Sequence, residues 1–209
     1  MCSKRFRSNG NVTNVILPRP RRRRRCFVNR MFGLVFVIAL TATARANERF
    51  QIDPAHSTIA FHLRHLLGTA KGSFSKFSGT IVVDREHPEQ SLVTVKIMSA
   101  SIDTGIAKRD EHLRTELFEV AKYPEMTFTS RRVKQTGPGS GEIVGDLTMH
   151  GVTREVTLSV QALSNDGRRW KVTTPPIRRS QFGLVFSKSA ETVSMIADEV
   201  AVDMEIAAR

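Results

Sequence analysis

The sequence predicts an all-β domain of about eight antiparallel strands, closed into a barrel, with one short helix covering a barrel end. Three observations predict it. From Phe50 onward, apolar residues alternate with polar ones at period two through most of the chain, the pattern of half-buried strands. Breaker clusters, Gly137-Pro138-Gly139-Ser140-Gly141 and Asn165-Asp166-Gly167, interrupt the runs where hairpins would turn. A single stretch, 107–119, reads as helix. Many one-sided strands with little helix make a barrel or a sandwich, and the barrel is the reading adopted.

The elements follow in order. Ile59, Phe61 and Leu63 share one face of the first strand, and Phe77, Gly79, Ile81 and Val83 one face of the second. Val93, Val95 and Ile97 mark the third. In the helix, Leu113, Leu117 and Phe118 give one apolar edge, with Lys108, Arg109, Glu111 and Arg114 elsewhere. Met126 and Phe128 start a fourth strand after Pro124, and Ile143, Gly145, Leu147 and Met149 define a fifth. The sixth has the cleanest alternation, Val152 to Ala162. A weaker strand surrounds Trp170-Lys171-Val172, and the last runs from Thr192 to Ile206. An eight-stranded barrel is just wide enough to be filled by side chains or to hold one small ligand. Gly79 and Gly145, on the inward parity, remove side-chain volume from that interior, although each is equally readable as a bulge or bend.

Charge divides the chain. The formal net charge is +12, but residues 1–46 hold 11 of the 32 basic residues and no acidic one. The remaining 163 residues carry 21 basic and 20 acidic side chains, so the body lacks the electrostatic footprint of a nucleic-acid binder. Met31 to Leu40 is a run of ten apolar residues behind Arg30, followed by Ala44-Arg45-Ala46. Basic segment, short apolar run and A-x-A site make a secretory signal peptide cleaved after Ala46, leaving 47–209 as a single domain. The run is too short for a bilayer span of about 20 residues. Arg24-Arg25 ahead of Cys26-Phe27-Val28 leaves a twin-arginine route open, and a leader of this length raises a translation start downstream, for example at Val28. The protein is thus expected in the periplasm or outside the cell. Cys2 and Cys26 both lie in the leader, so the mature chain has no thiol for catalysis or disulfides.

Three of the six histidines, His56, His62 and His65, crowd the first strand. His62 and His65 are three positions apart and point to opposite faces, while His56 and His62 are separated by roughly 20 Å of extended chain. A zinc site needs three or four converging ligands, so no metal site is assigned. There is no Gly-x-Ser-x-Gly elbow and no phosphate loop; no catalytic residue and no cofactor are assigned either. What remains is apolar: twelve Phe against one Tyr and one Trp. These rings are either an ordinary barrel core or the lining of an apolar cavity.

Ile52-Asp53-Pro54-Ala55-His56-Ser57, Phe61-His62-Leu63-Arg64-His65, Gly72-Ser73-Phe74, Phe77-Ser78-Gly79 and Ser101-Ile102-Asp103-Thr104 occur in that order. Arg109-Asp110-Glu111-His112-Leu113, Tyr123 to Phe128, Gly145 to Thr153 and Arg179-Ser180-Gln181-Phe182-Gly183 follow. Over residues 49–206 the series resembles the YceI family of polyisoprenoid-binding, lipocalin-like periplasmic proteins. The resemblance implies an eight-stranded lipocalin-like barrel whose pore accepts long-chain amphiphiles such as isoprenoid quinones or polyprenyl lipids. It implies a carrier or storage protein and no enzyme. Inward parity then places pore contacts at Phe61, Phe74, Phe77, Phe128, Leu147 and Phe182, with Phe118 on the helix. Residues 188–197 match no pattern of the family. The implied partner is a hydrophobic small molecule, with transient contact to the membrane or to membrane redox proteins if it is a quinone; monomer and homodimer are both open. A histidine-based metal-dependent or stress-related enzyme and a purely structural barrel stand as alternatives.

Overall fold

The computed structural model describes residues 47–66, 68–186 and 196–209, and the leader, residue 67 and residues 187–195 lie outside them. Among the described residues, twelve strands form one antiparallel sheet. They are β1 (Glu48–Gln51), β2 (Thr58–His65), β3 (Gly68–Phe74), β4 (Phe77–Val83), β5 (Leu92–Met98) and β6 (Ile102–Asp103). After the helix come β7 (Glu125–Gly137), β8 (Ser140–Met149), β9 (Val152–Ala162), β10 (Arg169–Thr173), β11 (Ile177–Arg178) and β12 (Glu199–Ala207). Their order is β1-β4-β5-β7-β8-β9-β10-β12-β2-β3-β6, with β11 beside β12. The sheet curls into a half-barrel. At the end of β1, Gln51 exchanges backbone hydrogen bonds of 2.8 and 2.9 Å with Arg209, so β1 ties β4 to the end of β12.

The strand count corrects the expected eight. β1, β6 and β11 are two to four residues long, too short for alternation to show. β3 reads Gly-Thr-Ala-Lys-Gly-Ser-Phe and carries few large apolar residues, yet it pairs with β2 along its whole length, Ile59 opposite Phe74 through His65 opposite Gly68. The period-two signal needs large side chains on the buried face, and β3 supplies few. The long hairpins sit where the turn chemistry put them. Gly139, with φ of +69°, turns β7 into β8, and Gly167, with φ of +66°, lies between β9 and β10. The β8–β9 turn is His150-Gly151, both with positive φ, closed by the Met149–Val152 pair. A two-residue turn of this kind requires φ > 0 at both central positions, which His150 adopts at a steric cost.

The helix is Ala107–His112 (α1), continued by one wider π turn over Leu113–Leu117. Two buried clusters result. The first joins the helix to the turn before Gly183: Ile102, Leu113, Leu117, Phe118, Met126, Phe182 and Leu184. The second, Ile52, Ile59, Phe77, Val172 and Ile206, packs against Val160 and Trp170.

Candidate functional site: an apolar cavity

A cavity of about 370 Å³ lies in the curl of the sheet, lined by residues of both clusters and by the wall between them. That is within the ~300–1,000 Å³ of small-molecule sites. Several strands deliver alternate residues to it: Ile59, Phe61, Leu63 and His65 from β2, Val95 and Ile97 from β5, Val156 and Leu158 from β9, and Val200, Val202 and Met204 from β12. Among the 29 described residues around it, His65, Thr104, Arg109, Thr174 and Arg179 are the polar ones, and no carboxylate is present.

Five of the seven residues expected to face the pore are on this wall: Phe61, Phe74, Phe118, Phe128 and Leu147. Phe77 and Phe182 are not. Phe77, at the first position of β4, is buried in the second cluster. Phe182 closes the turn 179–182 and is 1% exposed within the first cluster. Both are buried away from the cavity, and Phe182 lies in a 3-10 turn, where strand parity does not apply. The sequence reading passed over Met126, Met149, Leu184, Val202 and Met204 as wall residues. Met126, Met149, Val202 and Met204 share the inward parity of their strands, whereas Leu184 follows the turn 179–182 and lies on no strand.

The space that glycine leaves at positions 72, 79 and 145 is taken up by neighbouring side chains. A Cβ on Gly145 would lie 2.6 Å from the Phe128 ring and 2.5 Å from the Thr129 carbonyl oxygen. A Cβ on Gly79 would meet Ile52 at 2.7 Å, and one on Gly72 would run into the Phe61 ring. Two cavity-wall phenylalanines therefore lie over bare backbone of the adjacent strand, and the volume is filled by neighbours. Phe61 and Phe74 have ring centroids 5.5 Å apart, and Phe74 meets Phe118 edge-on at 6.1 Å, spacings typical of favourable aromatic pairs.

The polar wall residues are mostly committed. Arg109 donates to the Thr104 hydroxyl at 2.8 Å and to its carbonyl at 2.9 Å. The Thr104 backbone N–H and hydroxyl both donate to buried Asp110. Arg179, itself buried, donates through Nη1 to the Leu184 carbonyl at 2.7 Å and through Nε to that of Ala197 at 3.3 Å, and stacks on Phe186 at 5.1 Å. Burial opposes ionisation of Asp198, but the Ser180 hydroxyl and backbone N–H, with Arg179 and Arg178 nearby, outweigh it and hold this carboxyl below its ordinary value.

The histidines disperse. His65 lines the cavity, whereas His62 is on the outer face, 3.4 Å from Asp203. His56 sits 3.0 Å from Asp53, His112 3.1 Å from Glu116 and His150 3.5 Å from Glu119. Among the described residues, no group of three or more His, Cys, Asp or Glu is placed to hold a metal ion. Asp53-Pro54-Ala55-His56-Ser57 is a clasp. Asp53 accepts from the Ala55 N–H and from His56, and these bonds, the His56 one foremost, lower its carboxyl below the ordinary value. The Ser57 hydroxyl donates to the Asp53 carbonyl at 2.7 Å and accepts from the Ala207 N–H at 2.9 Å, pinning the start of β2 to the end of β12.

A curled antiparallel sheet with one helix, wrapped around an apolar cavity, agrees with the comparison to known families. The profile of the YceI-like domain matches residues 50–208. The chain belongs to the YceI-like family. Protein YceI of Escherichia coli is 36% identical over 145 residues, covering 67% of this chain and 75% of that protein. Among solved structures, BcnA of Burkholderia cenocepacia is 27% identical with a TM-score of 0.67, covering 74% of this chain and 98% of BcnA. A polyisoprenoid binding domain from Saccharophagus degradans, implicated in plant cell wall breakdown, is 23% identical with a TM-score of 0.58, covering 77% and 97%. At that identity the likeness speaks to the fold.

Proposed function

We propose that this YceI-like chain is an exported, periplasmic binding protein that carries or stores a long-chain amphiphile, in the class of isoprenoid quinones and polyprenyl lipids, and that it is not an enzyme. The observation that carries this reading is the 370 Å³ cavity with its almost wholly apolar wall. The proposed contacts are Phe61, Phe74, Phe118, Phe128 and Leu147 on that wall. Burying ten methylenes contributes about 8 kcal/mol at ~0.8 each, a micromolar affinity before the costs of association. A tail can thus be held without a strong polar contact. The polyisoprenoid binding domain from Saccharophagus degradans shares the architecture, and the basic, apolar, A-x-A leader supports export. Exchange of a ligand of this kind implies transient contact with a membrane.

Native mass spectrometry of the protein purified from its host tests the reading. A co-purifying lipid is expected, and Phe128→Arg, which puts a charge on the wall, should lose it. Repeated isolation without lipid, together with failure to take up quinone or fatty amide, refutes it. Cell fractionation should find a form beginning at Asn47 in the periplasm; an uncleaved cytoplasmic form refutes the export part.

A further inference from the structure

Thr174 is the polar residue of the cavity wall whose hydrogen bonding is not spent. Its hydroxyl oxygen is buried and, among the described residues, has no hydrogen-bond partner. The Thr104 hydroxyl is committed to Arg109 and Asp110, and Arg179 to two carbonyls and a ring. Buried hydroxyls without a partner are uncommon and call for an explanation, because removing such a group from water without compensation is costly.

The position is built by the fold. β10 ends at Thr173, which pairs with Ser159 of β9 and Asp203 of β12. The Thr174 N–H donates to the Val202 carbonyl at 3.2 Å, and Val202 is opposite Phe61 on β2. Thr174 therefore stands at the level of Phe61, in the wall itself. Pro175 and Pro176 follow, and neither can supply a backbone N–H to the oxygen. Among the described residues of the cavity wall the charges have one sign: Arg109 and Arg179 are there, and no Asp or Glu is.

We propose that Thr174 is the polar anchor of the ligand site, and that the ligand bears an oxygen acceptor (a carbonyl, hydroxyl or carboxylate) which receives a hydrogen bond from the Thr174 hydroxyl, turned about χ1 to face the cavity, while its hydrocarbon lies along the apolar wall. An ammonium head is disfavoured by the two guanidinium groups and by the lack, among the described wall residues, of a carboxylate to receive it. The inference rests on the carrier reading and names the class of head group that goes with the tail.

The test uses ligands of one chain length: dodecane, dodecanol, laurate and dodecylamine, each displacing a fluorescent apolar probe from the mature protein. Thr174→Val replaces the hydroxyl by a methyl of similar shape, and Thr174→Ser keeps the hydroxyl. In the parent protein, dodecanol and laurate should bind more tightly than dodecane, and dodecylamine less tightly than dodecanol. Thr174→Val should weaken dodecanol and laurate about tenfold, the ~1.4 kcal/mol of one hydrogen bond, and leave dodecane within about twofold. Thr174→Ser should retain the preference. Melting curves of both variants establish that the fold is intact. Equal effects of Thr174→Val on dodecane and dodecanol, or none on either, overturn the anchor while leaving the carrier reading standing. Failure of every member of the series to bind the parent protein overturns the carrier reading and the anchor together.

Discussion

Gly145→Ala offers the sharpest test of how the cavity wall is built. Gly145 is on β8 opposite Ser130 of β7, with φ outside the left-handed region, so alanine is allowed by the backbone and the cost is steric alone. The added Cβ would meet the Thr129 carbonyl oxygen at 2.5 Å and two atoms of the Phe128 ring at 2.6 and 2.8 Å. The ring can swing toward the cavity, but the carbonyl belongs to the β7–β8 pairing and cannot yield without bending the sheet. Overpacking of this kind costs about 1–3 kcal/mol, partly offset by the ~0.4–1 kcal/mol that alanine gains over glycine by restricting the unfolded chain. A net loss of about 1–2 kcal/mol lowers the melting temperature by roughly 2–8 °C for a domain of this size. Scanning calorimetry measures it, with Gly137→Ala as the control, because a Cβ there meets nothing within 4 Å; that variant should melt at or slightly above the parent. The displaced Phe128 ring should also weaken uptake of a dodecyl ligand. A Gly145→Ala protein that melts with or above Gly137→Ala and binds normally would refute the reasoning that the ring rests on bare backbone.

Three further outcomes follow from particular contacts. Ser57→Ala strands the Ala207 N–H that its hydroxyl now accepts, and should cost about 1–3 kcal/mol in denaturant unfolding. Phe77→Ala should cost about 3–5 kcal/mol of stability with ligand affinity per folded molecule unchanged, whereas Phe74→Ala, on the wall, should change affinity as well. The Asp53 carboxyl is lowered in the fold by His56 and the Ala55 N–H, so its contribution is present above the unfolded carboxylate pKa of about 3.9 and is lost as pH falls through the lower folded value. Asp53→Asn should therefore be less stable than the parent at pH 6, with the difference shrinking below about pH 4; a pH-independent difference would remove the carboxylate's role.

The fold was legible wherever large side chains alternate. β2, β4, β5, β8 and β9 announce their buried faces at period two, and Gly139 and Gly167 mark turns that only a permissive residue makes at low cost. β3 was silent because Gly68 and Gly72 carry no side chain to alternate. The cavity was legible as a parity and not as a volume. Phe61 and Phe77 have the same inward sense on their strands, yet one lines open space and the other fills a cluster. That difference depends on what stands across the barrel, which no single strand encodes. Thr174 was hidden for a related reason, since its place on the wall comes from where β10 stops pairing and not from any local pattern.

The glycine–phenylalanine pairs connect these two levels. A closed barrel of about eight strands is narrow enough for its own side chains to fill, and with so many phenylalanines a packed interior is the expectation for this sheet too. Phe61 over Gly72 and Phe128 over Gly145 lay two of the largest rings along the wall, each in space a Cβ would otherwise occupy. Their faces still line the interior, but their bulk is partly withdrawn from it. Phe74 and Phe118, edge-on to each other at the helix end, are wall residues without such a recess. The same residue type thus either lies recessed in the wall or stands out from it, according to whether the neighbouring strand offers a glycine beneath it. An apolar space in the middle of an aromatic-rich barrel then follows from where the glycines fall across the strands, which is why the hydrophobicity of the chain alone does not reveal it.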